Sequence, residues 1–434
     1  MGYFLFELKV QLRSKRTLIS FILLLLGCIY YTFSVAWSYD PFYSLDQATL
    51  ENRIEQRQTV IDNTVIDENT HGMVGWGISI NEHKNIMDRQ RLESLKKNDW
   101  AAFAWDTAQI LEIDDRNAFT DKMNIFFYDP SFYIDGNSFV RWDAHFEYNR
   151  LARSFLMMNR KRIEENYQLS KEKWGIDMPV PPHIKDMGEI TQNVFEERTG
   201  LQTFVRASNL ILPTAMFILI LIGFADILTR DNEHQDMLQG FPMRFTMRLL
   251  HKFMVGLAYT FCLLLVPLSF FVIYSLNFGF GNLNLPSVTY NVLIEQGAIS
   301  NTQFDFATIG EHLGKWLILF FLIVALLLLS VLFTNLLFRS QIISLVTGLF
   351  LIFGGRLYMS QGMGEFRNWR NFPTTFINIG EVISGRSWFF YGDKGLNFDT
   401  ALQTFGLWSI ALIIGIVFVM KGREFIVKSR RSIR

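Results

Sequence analysis

Ionisable side chains crowd into one short stretch between two long apolar runs. Asp231, Glu233, His234 and Asp236 come first, then Gln239, Gly240 and Pro242, then Arg244, Arg248 and Lys252. Groups of this kind are costly inside hydrocarbon, so both neighbouring segments must deliver the stretch to water on the same side. The pattern is a carboxylate-rich half-turn, a Gly-x-Pro break, and a basic helix leading into the next apolar run. It lacks a nucleophile beside a base, so its chemistry is directional charge pairing with another molecule rather than bond-making.

The remaining candidates for catalysis or metal binding are weak. The sequence contains no Gly-x-x-x-x-Gly-Lys-Ser/Thr phosphate loop, so ATP hydrolysis is not expected of this chain. It has no His-Glu-x-x-His or paired-cysteine signature, and His71, His83, His145 and His183 lack ligand spacing, so no metal is expected. Adjacent Asp114 and Asp115 diverge on any regular element and read as a solvated turn. Ser170 and Lys173 match a short hydrolase pattern without its companion motifs. No catalytic residue is assigned.

What must position the charged stretch is a set of membrane helices. Apolar residues make up 50% of the chain and the 41 basic and 41 acidic side chains cancel. The balance excludes a bulk field for nucleic acid, and the charges segregate into polar stretches between apolar ones. About 20 apolar residues span about 30 Å of hydrocarbon. Six segments qualify: 18–37, 207–228, 253–276, 316–338, 342–358 and 401–420. The fifth carries Arg356 near its end, which either lines a pathway or snorkels to water. Arg339 and Gln341 mark a tight turn between the fourth and fifth. Pro213 and Pro267 are expected to kink the second and third. Cys28 and Cys262 lie in apolar runs and read as small hydrophobes.

Basic residues set the expected orientation. Lys9, Arg13, Lys15 and Arg16 precede the first span, Arg230 to Lys252 lie between the second and third, and Lys421 to Arg434 follow the sixth. The connection 277–310 has neither Lys nor Arg. Both termini and the 229–252 connection are therefore expected in the cytoplasm of a multi-pass cell-membrane protein, with loops 277–310 and 359–400 outside and a basic tail over 421–434. The first span reads as a retained anchor, although Ser34 and Ala36 loosely imitate a signal cleavage site.

Residues 1–17 form an expected interfacial helix, with Phe4, Leu5, Leu8 and Leu12 on one face and Glu7, Lys9, Gln11 and Arg13 elsewhere. Residues 38–206 form an outer, extracytoplasmic domain of α or α/β character. It is expected to be helical over 44–113 with interruptions at Gly72, Gly75 and Gly77, then extended over 123–128, then one helix over about 142–173. Phe126, Phe127 and Tyr128 read as core rather than cargo contacts. The expected fold class is a mainly α polytopic membrane protein with six transmembrane helices.

This layout resembles the permease subunits of ABC-2 type exporters. The match rests on the interfacial N-terminal helix, the six spans, and the sequence from Glu233 through Gly240, Pro242 and Arg244 to Lys252. That sequence is similar to the family's coupling-helix loop. Asn371, Pro373 and Gly385 are similar to its outer re-entrant segment. The resemblance implies a pair of permeases, two identical copies or two related chains, on a dimer of cytoplasmic ATPase subunits that bind ATP and Mg. This chain would bind no cofactor itself. It implies coupling roles for Asp231, Glu233, His234, Asp236, Gln239, Gly240, Pro242 and Arg244, and export of a peptide, antimicrobial or lipid-like cargo. Two other readings stand beside it: a mechanotransmission-type permease, and a membrane-anchored sensor or resistance protein acting through its outer domain.

Overall fold

The computed structural model describes residues 2–39, 45–65, 72–119, 136–174, 186–209, 211–232, 243–290, 294–295, 298–299, 304–359, 370–391 and 393–432. The described chain is overwhelmingly helical and divides into two compact units. In order, the helices are α1 (Gly2–Arg13), α2 (Lys15–Tyr30), α3 (Gln47–Asn63), α4 (Gly72–Lys96), α5 (Trp100–Phe119), α6 (Gly136–Met158), α7 (Arg160–Trp174) and α8 (Gln192–Phe195). They continue with α9 (Gly200–Asn209), α10 (Leu212–Phe224), α11 (Phe245–Phe278), α12 (Ile309–Phe338), α13 (Gln341–Met359), α14 (Ile379–Ile383), α15 (Arg386–Tyr391) and α16 (Phe398–Ser432).

Among the described residues, five helical stretches are long and apolar enough to cross a membrane: Lys15–Ala36, Leu212–Asp231, Phe245–Phe278, Ile309–Phe338 and Phe398–Gly422. A sixth apolar stretch, Gln341–Leu357, is shorter. Their composition and length are those of a mainly α-helical multi-pass membrane protein.

The first unit comprises Met1–Trp37, Phe204–Tyr274 and Leu313–Arg434. Its centre is α10, which is apolar on every side and buries Met216, Phe217, Ile220, Leu221 and Phe224. A helix hydrophobic all round belongs in the middle of a bundle. Two neighbours reach it through glycines, since Gly348 of α13 lies against Leu221 and Gly256 of α11 against Phe224. The Trp316 ring of α12 stacks on Phe320, which stacks on Phe217. Pro213 does not kink this span as expected. It sits in the first turn of α10, where its missing N–H has no helical partner to lose. Pro267 does lie inside α11. Arg339, at φ 50°, turns α12 into α13, and the Thr334 and Ser344 hydroxyls meet at 2.8 Å across that hairpin.

After α13, a 3₁₀ turn (Pro373–Phe376), α14 and α15 fold into the same apolar core, which includes Phe376, Ile379, Val382 and Ile383. Gly385, at φ 72°, joins the two short helices. The segment can approach this closely because Gly355 of α13 faces the Thr374 carbonyl and Gly380 faces Asn209. A Cβ at either glycine would collide with backbone.

The second unit comprises Ser38–Thr203 and Ser275–His312. Helices α3 to α8 enclose an aromatic cluster in which Phe195 packs at 5.0 Å from Phe103 and 4.8 Å from Phe155. Residues 275–312 join this unit and supply small antiparallel pairs, β1 (Thr289–Tyr290) with β4 (Phe304–Asp305) and β2 (Ile294–Glu295) with β3 (Ala298–Ile299). Two expectations are corrected. Gly75 and Gly77 lie inside α4 rather than interrupting it, because glycine is tolerated within a helix at modest cost. The single helix over 142–173 is two, divided at Asn159. Its Oδ1 accepts from the Arg162 N–H at 3.0 Å as an N-cap, and its Nδ2 donates to the Ala101 carbonyl at 3.2 Å. The expected extended segment 123–128 lies outside the described residues.

Candidate functional site

The helix α10 ends at Phe224, followed by a turn over 225–228 and a 3₁₀ turn, Thr229–Asn232. Its last carbonyls lose their helical partners and need other donors. Three other elements supply them. Gln11 of α1 donates Nε2 to the Gly223 carbonyl at 2.7 Å. Asn335 of α12 donates Nδ2 to the Ala225 carbonyl at 2.8 Å. Lys252 of α11 donates Nζ to the Ile227 carbonyl at 2.9 Å. The broken end is thus held from three sides.

Charges complete the arrangement. Lys252 is 2% exposed, and its ammonium also meets Glu7 Oε1 at 3.1 Å and Asp231 Oδ1 at 2.6 Å. The Tyr3 hydroxyl donates to Glu7 Oε1 at 2.7 Å, and its ring meets His251 edge-on. Burial first, and then the Glu7 carboxylate, hold the Tyr3 phenol well above its ordinary pKa, so it stays a donor. Asp226 bridges Arg230 at 2.7 Å and Arg16 at 3.3 Å. Arg230 reaches Gln11 Oε1 at 3.2 Å, and Arg16 reaches Gln341 Oε1 at 3.1 Å. Glu7, Asp226 and Asp231 therefore stand against Arg16, Arg230 and Lys252. Each of the three carboxylates thus has a cation within ion-pair distance.

This arrangement adds a buried polar side to the α1 read from the sequence. Its side toward the protein is polar, since Tyr3, Glu7 and Gln11 are buried one turn apart. Lys9 and Arg13 are exposed, as are Leu5 and Leu12, while Phe4 and Leu8 are half-buried. Only Lys9 and Arg13 of the four polar residues remain available to headgroups. Glu7 and Gln11 are committed to the bundle.

Of the sequence-derived coupling residues, Asp231 is tied down by Lys252 and Arg244 is exposed just ahead of α11. Glu233, His234, Asp236, Gln239, Gly240 and Pro242 lie outside the described residues. Arg356 is exposed in the last turn of α13, its guanidinium 5.6 Å from the Phe353 ring centre. Glu7, Gln11, Arg16 and Asn335 escaped sequence reasoning as partners of the break. The available signal was the polar stripe Tyr3, Glu7, Gln11 at helical spacing. Among the described residues, no group of His, Cys, Asp and Glu side chains suits a metal ion.

Donors from α1, α11 and α12 thus tie the base of the 231–252 connection to the bundle. Compared with protein family models, with curated proteins and with solved structures, the chain finds no match.

Proposed function

We propose that the chain is the membrane-spanning permease subunit of an ATP-binding-cassette exporter. In this reading it crosses the cell membrane six times, with Gln341–Leu357 as the shorter fifth span and both termini in the cytoplasm. It carries an amphipathic or hydrophobic cargo outward and draws energy from a separate ATPase dimer, beside a second permease. The supporting observation is the braced break at the base of the 231–252 connection, where donors from α1, α11 and α12 cap the end of α10. The freed carbonyls need donors in any case, and drawing those donors from three separate helices suits a loop that receives a push. The buried segment carrying Pro373 and Gly385 fits the outer re-entrant element of this reading. Residues 231–240 take the ATPase contact and Lys252 fixes their inner end.

A photo-crosslinking amino acid at Gln239 of the full chain, irradiated in native membranes, is expected to give an adduct with a protein that carries a phosphate loop. Cysteines placed at Gly297 and Gly385 are expected to react only from outside the cell. No such adduct, or labelling of either position from the cytoplasm, would overturn the proposal.

A further inference from the structure

Five of the exposed apolar side chains of α11 form one stripe. Met254, Phe261, Leu265, Val272 and Leu276 follow each other at intervals of seven and four residues, the spacing of a single helical face. At 34 residues α11 is about 51 Å long, against about 30 Å of hydrocarbon, so it cannot lie wholly within the bilayer core. Counted from the buried charge of Lys252, about 20 residues of rise place Val272 near the far edge of the hydrocarbon. The stripe does not stop there. Leu276 is 75%, Phe280 48% and Leu283 52% exposed.

The turn that carries them is held in place. Gly279 and Gly281 both stand at φ 82°, and a Cβ on Gly281 would meet Thr199 Oγ1 at 2.7 Å. The carbonyls point into the protein. Those of Gly279, Phe280 and Leu283 accept from the N–H groups of Gly200, Leu201 and Gly310 at 2.9, 3.0 and 2.8 Å. The Phe278 carbonyl accepts from Asn193 Nδ2 at 3.3 Å. Backbone polar groups are turned inward while large apolar side chains are turned outward, which is what a lipid environment requires of a non-helical segment. The sequence from 277 to 310 offers no Lys or Arg to headgroup phosphates, so the contact is apolar in kind.

We propose that the turn over 276–283 is a lipid-inserting element, which sets Leu276, Phe280 and Leu283 among the acyl chains where α11 leaves the membrane. The proposal needs only that α11 spans the bilayer and is independent of the exporter reading. The test uses the full chain with Cys28 and Cys262 replaced by serine, in nanodiscs of zwitterionic phosphatidylcholine. Nitroxide labels are placed singly through Leu276→Cys, Phe280→Cys and Leu283→Cys, with Val65→Cys, at 81% exposure, as the aqueous reference. The ratio of oxygen to nickel-chelate accessibility is expected to be severalfold higher at the three turn positions than at residue 65, and unchanged when anionic lipid is added. Ratios equal to that of residue 65 would overturn the proposal by showing the turn in water. Low accessibility to both reagents would overturn it equally, by showing that protein, a second copy included, covers the turn. Three separate positions guard against one variant failing to fold.

Discussion

Ionised side chains are buried in both units of this protein. At the break after α10, each carboxylate has a cation within ion-pair distance, and those cations also cap freed carbonyls or brace neighbouring side chains. In the second unit, Asp88 of α4 is fully buried between Arg57 of α3 and Arg91, and the Arg91 guanidinium lies 4.6 Å from the Phe103 ring centre. Burial lowers the Arg91 pKa to about 10, with Asp88 opposing the shift, so the guanidinium stays charged at neutral pH. Asp106 of α5 is different. It is 3% exposed and its Oδ1 has no hydrogen-bond partner. Burial raises its pKa to about 6, against the pull of Arg162 and Arg91 and with help from Asp99. The difference is instructive. At the break each carboxylate is answered by a cation within 3.3 Å. In the second unit one carboxylate is left without such a bond, and a proton can neutralise it.

That contrast can be broken in three places. The largest effect is expected for Lys252→Met, which strands Glu7 and Asp231 without their cation. Losing one partner of a buried pair costs about 3–5 kcal/mol, so the thermal unfolding midpoint in detergent should drop well below that of any surface variant. Adding Glu7→Gln should restore part of the loss, and strictly additive effects would mean that the two residues are not coupled. Next comes Gln11→Ala, which uncaps the Gly223 carbonyl and leaves one edge of Arg230 bare. A loss of about 1–3 kcal/mol is expected, and a loss no larger than that of Lys97→Ala would show water reaching the break. The smallest effect is a slope. A raised carboxylate pKa means that the folded state holds the proton more tightly, so stability is highest below the ordinary value of 3.8 and falls as pH rises through about 6. Asp106→Asn should remove that part of the pH dependence of unfolding. An unchanged slope in the variant would place its origin elsewhere.

Much of the scaffold was legible because hydrophobicity and its period are local properties. The apolar runs at 253–276, 316–338 and 401–420 fall inside long helices, the run at 18–37 matches the helical stretch Lys15–Ala36 to within a residue at its end, and the Asp226–Arg230 pairing follows from a spacing of four. Less legible were the elements whose ends depend on remote atoms. The apolar run 207–228 reads as one helix, yet its described residues fall in two, Gly200–Asn209 and Leu212–Phe224. Asn159 looks like any polar residue within a helix until Ala101 is brought near enough to hold it. For the site, the sequence marked Lys252 and Asp231 as unusual charges at the edge of apolar segments, without pairing them.

By itself, then, the amino-acid order determined where the apolar helices run and that a charged connection joins two of them. Composition and periodicity act within a few residues of chain. Only the tertiary structure decided that α1 turns Glu7 and Gln11 inward, and that Gln11, Asn335 and Lys252 converge on the freed carbonyls of α10. It also decided which glycines mark close approaches. The reason is physical: a carbonyl released from a helix must find a donor, and which donor it finds depends on segments separated by 25 to more than 200 positions in the chain.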